Sequence, residues 1–178
     1  NHASWAPAFS PDGTKLAFAS TASNLVPGDS GQTADLFVKD LSTGHVERIA
    51  TGLGSQLYGG GESITFSPDG ARVMFASSQG DLVPGDTNYK ADIFVVDLAA
   101  SAITRVSTGP ADEQANGASL QGVWSPDGTK VAFVSEATNL AGGWWTWDVF
   151  LKDLATGEIL DVTGNLDVDA RIAPVFSP

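Results

Sequence analysis

The chain has no cysteine. Disulfides and thiolate metal sites are therefore excluded, and cysteine usage says nothing about redox compartment. Basic residues are scarce, with 9 Lys and Arg against 21 Asp and Glu, for a net charge of −12. Phosphate contacts need Lys and Arg, so a nucleic-acid partner is excluded. The balance suits a solvated acidic surface or a cation partner. The only histidines are His2 and His45, too far apart for a metal-ligand pair, which argues against a zinc enzyme. No apolar run approaches the roughly 18 residues needed to cross a bilayer. No leader is visible at Asn1, and a removed one is compatible with that start.

Catalytic signatures are equally thin. There is no Gly-x-Ser-x-Gly elbow to expose a nucleophile. Gly59-Gly60-Gly61 has no Lys beside it and opens a strand pattern, so it is no phosphate loop. The paired carboxylates Asp112 with Glu113, and Asp167 with Asp169, read as acidic surface rather than a glycosidase pair. The expectation is a protein that is not an enzyme.

What the chain does have is a repeat. Phe9-Ser10-Pro11-Asp12-Gly13 returns as Phe66-Ser67-Pro68-Asp69-Gly70 and as Trp124-Ser125-Pro126-Asp127-Gly128, and Phe176-Ser177-Pro178 begins a further copy. The aromatic positions lie 57, 58 and 52 residues apart. A fixed period of this length marks a repeat architecture. Within each copy, Pro presets φ for a type I turn and Gly tolerates the left-handed exit. In the third copy, Leu120–Trp124, Lys130–Val134, Asp148–Leu154 and Glu158–Val162 read as four strands of a meander. The first copy matches with Trp5–Phe9, Lys15–Ala19, Asp35–Leu41 and Val46–Ala50. The second matches with Glu62–Phe66, Arg72–Ala76, Asp92–Leu98 and Ile103–Val106. Runs such as Val131–Val134 and Ile93–Val96 are apolar on both faces, so each sheet needs a cover on both sides. Sheets fanned about an axis supply it, which predicts an all-β β-propeller.

The chain resembles the TolB-type, WD40-like propeller repeat. The resemblance rests on Ser10 to Phe18 with Asp35 to Leu41, Ser67 to Phe75 with Asp92 to Leu98, and Ser125 to Phe133 with Asp148 to Leu154. The second copy departs from it at Ser101, where the family favours Gly. The expected domain is a single partial propeller over 1–178, with blades near 4–52, 61–109 and 119–164 and the first strand of the next blade at 170–178. Three blades are fewer than the roughly four to eight of a closed ring. The missing ones are expected from a longer chain, a second subunit or another chain. Because the chain brings its own first strand at Trp5–Phe9, simple three-plus-three pairing is disfavoured.

Two loops carry candidate binding residues. Asn24-Leu25-Val26-Pro27-Gly28-Asp29 continues to Asp35, and Asp81-Leu82-Val83-Pro84-Gly85-Asp86 continues through Asn88 to Asp92. Oxygen ligands at Asp86, Asn88 and Asp92, and at Asp29 and Asp35, have the spacing of a short calcium loop, so Ca2+ is a possible cofactor. The other reading makes Asp29 and Asp86 Asx-turn residues and ties Asp35 and Asp92 to their strands. These loops resemble a secreted bacterial subset of the family, which implies an extracellular or periplasmic protein. The third loop lacks the pattern and carries Trp144, Trp145 and Trp147 instead. Exposed aromatics there would bind a protein or stack on a glycan. Alternatively, they pack against a neighbouring blade. The reading for function is a non-catalytic binding or scaffold module for a protein or glycan partner. The alternatives are an accessory propeller gating a serine peptidase and a structural module of a large surface or filament protein.

Overall fold

The computed structural model describes residues 2–29, 33–53, 64–142, 147–164 and 174–177. Among them every regular element is a strand. The first sheet is β1 (Ser4–Phe9), β2 (Lys15–Ser20), β3 (Asp35–Asp40) and β4 (Val46–Ala50), in sequence order. The second is β5 (Thr65–Phe66), β6 (Arg72–Ser77), β7 (Asp92–Asp97) and β8 (Ala102–Arg105). The third is β9 (Ser119–Trp124), β10 (Lys130–Ser135), β11 (Asp148–Asp153) and β12 (Ile159–Asp161). All neighbouring strands pair antiparallel, as three copies of one meander.

The turn motif explains itself atom by atom. Ser125 Oγ donates to Asp127 Oδ1 at 2.6 Å and accepts from Lys130 N at 2.9 Å. Asp127 Oδ1 also accepts from Thr129 N at 3.0 Å, and Gly128 N donates to Ser125 O at 2.9 Å with φ at 69°. Ser10 with Asp12 and Ser67 with Asp69 build the same knot. These hydrogen bonds favour the ionised carboxylate and hold Asp12 and Asp127 at a pKa of about 2. At the far end, β3, β7 and β11 stop one residue earlier than the apolar run suggests. Asp40, Asp97 and Asp153 each accept two backbone N–H groups from the following turn, while Leu41, Leu98 and Leu154 make one last cross-strand bond each, to Thr14 O, Ala71 O and Thr129 O.

The side chains alternate so that each sheet shows a bulky face to one side and a smaller one to the other. Phe75 and Phe94 stack at 5.6 Å and join a buried cluster with Ala17, Ala19, Leu36 and Val38 of the first sheet. Phe133 and Phe150 stack at 5.9 Å and join another with Met74, Ala76, Ile93 and Val95 of the second. Phe18 and Phe37 form the corresponding pair of the first sheet, at 5.7 Å. The second sheet is thus sandwiched: every residue from Val73 to Ser77 and from Asp92 to Val96 is buried. This fan of stacked sheets is the all-β partial propeller that the repeat predicts.

Two details are not visible in the repeat. Ala6 and Gln121, each three residues before the aromatic of its turn motif, take φ of 53° and 55° beside register shifts in β1 and β9. Both first strands are therefore bulged at the same place. The expected first strand of a further blade, Ile172–Phe176, lies partly outside the described residues, and 174–177 form no strand.

Ser101 keeps the turn geometry of Gly44 and Gly157, with φ of 51° against 76° and 75°. A side chain in that region costs roughly 1 kcal/mol. Ser101→Gly is therefore expected to raise stability by about that amount, read as a higher urea midpoint. Gly122 works in the opposite sense. A Cβ there would stand 2.8 Å from Met74 Sδ and 3.3 Å from Ile93 Cγ2 of the neighbouring sheet. Gly122→Val should cost about 1–3 kcal/mol by overpacking, measured by the same urea denaturation.

Candidate functional site

Each of the two loops with paired carboxylates brings its aspartates together around one group. The group at the centre is an arginine. In the first unit, Arg48 of β4 reaches Asp35 Oδ2 at 3.1 Å and Asp29 Oδ1 at 3.7 Å. In the second, Arg105 of β8 lies 3.8 Å from Asp86 Oδ1 and 3.9 Å from Asp92 Oδ2. The register explains both. Arg48 is paired across the ladder with Phe37, and Arg105 with Phe94, so both guanidiniums rise on the bulky face of their sheet. The third unit has Asp161 at the matching place, opposite Phe150, and its loop carries no counterpart of Asp29 or Asp86. Carboxylate pair and arginine come and go together.

Asn88, the remaining expected ligand, is engaged elsewhere. Its Nδ2 donates to Ala115 O at 2.6 Å, and its Oδ1 accepts from Lys90 N at 2.8 Å. Among the described residues no three His, Asp or Glu side chains gather as a metal site. A calcium ion at either loop would compete with a guanidinium for the same oxygens.

The environments of the two clusters differ. Asp35 accepts from Gly52 N at 2.8 Å as well as from Arg48, whose side chain is 27% exposed. Arg105 is 9% exposed and Asp92 fully buried. Asp92 Oδ1 accepts from Ser107 Oγ at 2.5 Å, yet burial pushes its carboxyl up to about 6, with the Asp86 charge adding to the rise. Burial also raises Asp86.

The second loop is also a joint between units. Gln114, in the linker between the second and third sheets, donates from Nε2 to Asp86 Oδ1 at 2.7 Å and accepts from Thr87 N and Oγ1 at 3.3 Å each. Asn116 continues the seam to the third unit's loop, accepting from Thr138 N at 2.8 Å while its N–H donates to Asn139 Oδ1 at 2.9 Å. Two further cations brace the same interface. Arg72 lies over the Trp124 ring at 4.7 Å and donates to Gly128 O at 2.8 Å. Lys152, buried on β11, donates to Thr108 O, Thr108 Oγ1 and Gly109 O at 3.0, 3.1 and 3.3 Å, and its ammonium is held below the usual lysine range by that burial. None of Arg48, Arg105, Arg72, Lys152 or Gln114 stands out as a site residue in the sequence. One signal was available: Arg48 follows Asp35, and Arg105 follows Asp92, by the same 13 residues, a place that Asp161 takes after Asp148.

Of the aromatic loop, Trp147 is partly buried just before β11, while Trp144 and Trp145 lie outside the described residues. Tyr89, at the tip of the second loop, is 82% exposed with φ at 55°. His2 and His45 are both exposed.

Removing the buried guanidinium strands two carboxylates. Arg105→Gln is expected to cost roughly 3 kcal/mol. Arg48→Gln, at the more exposed cluster, should cost about 1 kcal/mol or less. Chemical denaturation of the two variants compares them directly, and added calcium should leave the melting temperature of the unmodified chain unchanged.

No family model matches the chain. It is 30% identical over 162 residues to dipeptidyl-peptidase 5 of Porphyromonas gingivalis, a match that covers 87% of this chain and 20% of that protein. Among solved structures it superposes on TolB from Acinetobacter baumannii with a TM-score of 0.60 at 25% identity, covering 97% of this chain and 35% of the other. The β-propeller domain of the Trilobed protease from Pyrococcus furiosus gives 0.52 at 16% identity, over 89% of this chain and 42% of that one. The chain thus spans well under half of each relative. With three stacked four-stranded sheets, one turn motif in each and TolB itself among its structural neighbours, the chain is a TolB-like partial β-propeller.

Proposed function

We propose that this segment is a non-catalytic interaction module of an exported protein, binding a protein or glycan partner at the rim that carries its long loops. The single observation behind the reading is the division of labour in those loops. Their buried polar groups close clusters and seams (Asp86 on Arg105, Gln114 and Asn88 across to the next unit), while the tip presents Tyr89 to solvent. A rigid frame with an exposed aromatic tip suits recognition more than bond breaking. Trp144 and Trp145 fall, in the sequence, between the second and third strands of their unit, as Tyr89 does in its own. Calcium is not needed for this role.

The match to dipeptidyl-peptidase 5 favours a second reading. There the segment is part of the propeller that accompanies a peptidase domain encoded elsewhere in the gene, and its partner is the peptide substrate or that domain. The two readings share a frame without its own reactive centre and differ in what the rim meets.

Arrays of glycans and of peptides, probed with the purified chain, separate them. Binding to a glycan class or a folded protein, lost in a Tyr89→Ser, Trp144→Ala, Trp145→Ala variant of unchanged melting temperature, supports the first. Selective retention of short peptides supports the second. Hydrolysis of a dipeptidyl chromogenic substrate by this chain alone would overturn both.

A further inference from the structure

Asn116 and Gly117 form the chain's single Asn-Gly pair, and they lie in the linker between β8 and β9, which joins the second and third units. Asparagine is a labile residue, and a following glycine exposes it to attack on its own side-chain amide, because no Cβ shields the next main-chain nitrogen. Packing requires the glycine. A Cβ on Gly117 would stand 2.8 Å from Ala137 N and from Glu136 C and Cγ. Asn116 is exposed, so water reaches its amide, whereas Gly117 is buried against the third unit's loop.

The fold holds this amide in a clasp. Asn116 Oδ1 accepts from Thr138 N at 2.8 Å, its Nδ2 donates to Thr138 Oγ1 at 2.9 Å, and its own N–H donates to Asn139 Oδ1 at 2.9 Å. Asn139 Nδ2 returns a bond to Gln114 O at 2.8 Å. Both ends of the Asn116 amide are thus turned to Thr138. To meet Gly117 N the amide carbon has to leave Thr138, so reaction waits on a local opening. The three Asp-Gly pairs of the turns, Asp12-Gly13, Asp69-Gly70 and Asp127-Gly128, share the unshielded glycine but not the leaving group. Hydrogen bonds from the turn serines and main chain hold Asp12 and Asp127 at a pKa of about 2 and lower Asp69 as well, and an ionised carboxylate resists the attack.

We propose that Asn116 is a site of spontaneous deamidation, gated by its clasp on Thr138, and that its conversion frees the Tyr89 loop from the linker. The step balances as hydrolysis of an amide. Solvent base takes the proton of Gly117 N. The electron pair of that nitrogen forms a bond to Asn116 Cγ, the Cγ–Nδ2 bond breaks, and ammonia leaves with a proton from water. Water then adds to either carbonyl of the five-membered imide and cleaves its C–N bond. Cleavage at Cγ gives aspartate, and cleavage at the main-chain carbonyl gives isoaspartate. An aspartate has no N–H left for Thr138 Oγ1. An isoaspartate adds a carbon to the main chain and displaces its neighbours. Those neighbours hold the second unit's loop: Asn88 Nδ2 donates to Ala115 O at 2.6 Å, and Thr87 N donates to Gln114 Oε1 at 3.3 Å. Tyr89, 82% exposed, stands next to Asn88. Release of that loop follows from the linker's covalent state, whichever partner the rim meets.

The test incubates the whole chain at neutral and mildly alkaline pH, natively and in concentrated urea. Peptide mapping with fragment mass spectra and isoaspartyl methyltransferase labelling then locates each converted residue. Conversion at Asn116 is expected ahead of Asn24, Asn88 and Asn139 and ahead of isoaspartate at the three Asp-Gly pairs. The native rate should be lower than the urea rate by about tenfold or more, reflecting the hydrogen bonds that must open first. Thr138→Ala should raise the native rate several-fold and leave the urea rate unchanged. The converted fraction, separated by ion exchange, should exchange its amides at 87–90 faster than the parent. The proposal is overturned if Asn116 converts no faster than Asn24 or Asn139 in the native chain, or if urea leaves its rate unchanged. Equal exchange at 87–90 in converted and parent chains would overturn it too. These comparisons use the unmodified chain, so they decide the matter even if Thr138→Ala fails to fold.

Discussion

Everything in this molecule depends on the second sheet having no outside. Its two central strands are buried on both faces, with Phe75 and Phe94 pressed onto the small residues of the first sheet and Met74, Ala76, Ile93 and Val95 forming the floor for Phe133 and Phe150 of the third. A four-stranded meander with two oily faces has no stable existence alone, because the hydrophobic gain that offsets chain entropy is realised only between units. The repeat is thus a physical requirement: each copy supplies the cover that its neighbour lacks.

Polar groups then decide how the sheets are indexed against one another. The apolar faces alone would tolerate sliding. Arg72 on Trp124 and Gly128, Lys152 on the carbonyls of 108 and 109, and Gln114 on Asp86 are directional contacts between the second and third units. Each joins a side chain on one sheet to backbone, ring or carboxylate on the next unit or its linker. Hydrogen bonds that must be satisfied in a buried seam fix one relative placement where dispersion alone would allow several.

The architecture was legible because its signals are local. Ser-Pro-Asp-Gly closes a turn through contacts spanning five residues, and the two-faced apolar runs demand stacking wherever they occur. The gathering of Asp29 with Asp35 and of Asp86 with Asp92 was legible from spacing as well. The identity of the cation between them was not, since Arg48 and Arg105 sit on a different strand and meet the loop only through ladder register. Gln114 was hidden for a deeper reason: its partner belongs to the preceding unit, and no periodicity within one unit announces it. The bulges at Ala6 and Gln121 were hidden because neither position carries the glycine that usually marks a left-handed residue.

The third unit has Asp161 where the others have arginine and lacks the first carboxylate of the loop pair, keeping only Asp148. A copy relieved of that obligation no longer needs to fold its loop around a charge, so length and content there become free to drift. Duplicated modules diverge most readily where a charge and its counter-charge can be lost together. A designer wishing to graft a foreign recognition peptide onto this scaffold would do best to begin with the span following Leu140.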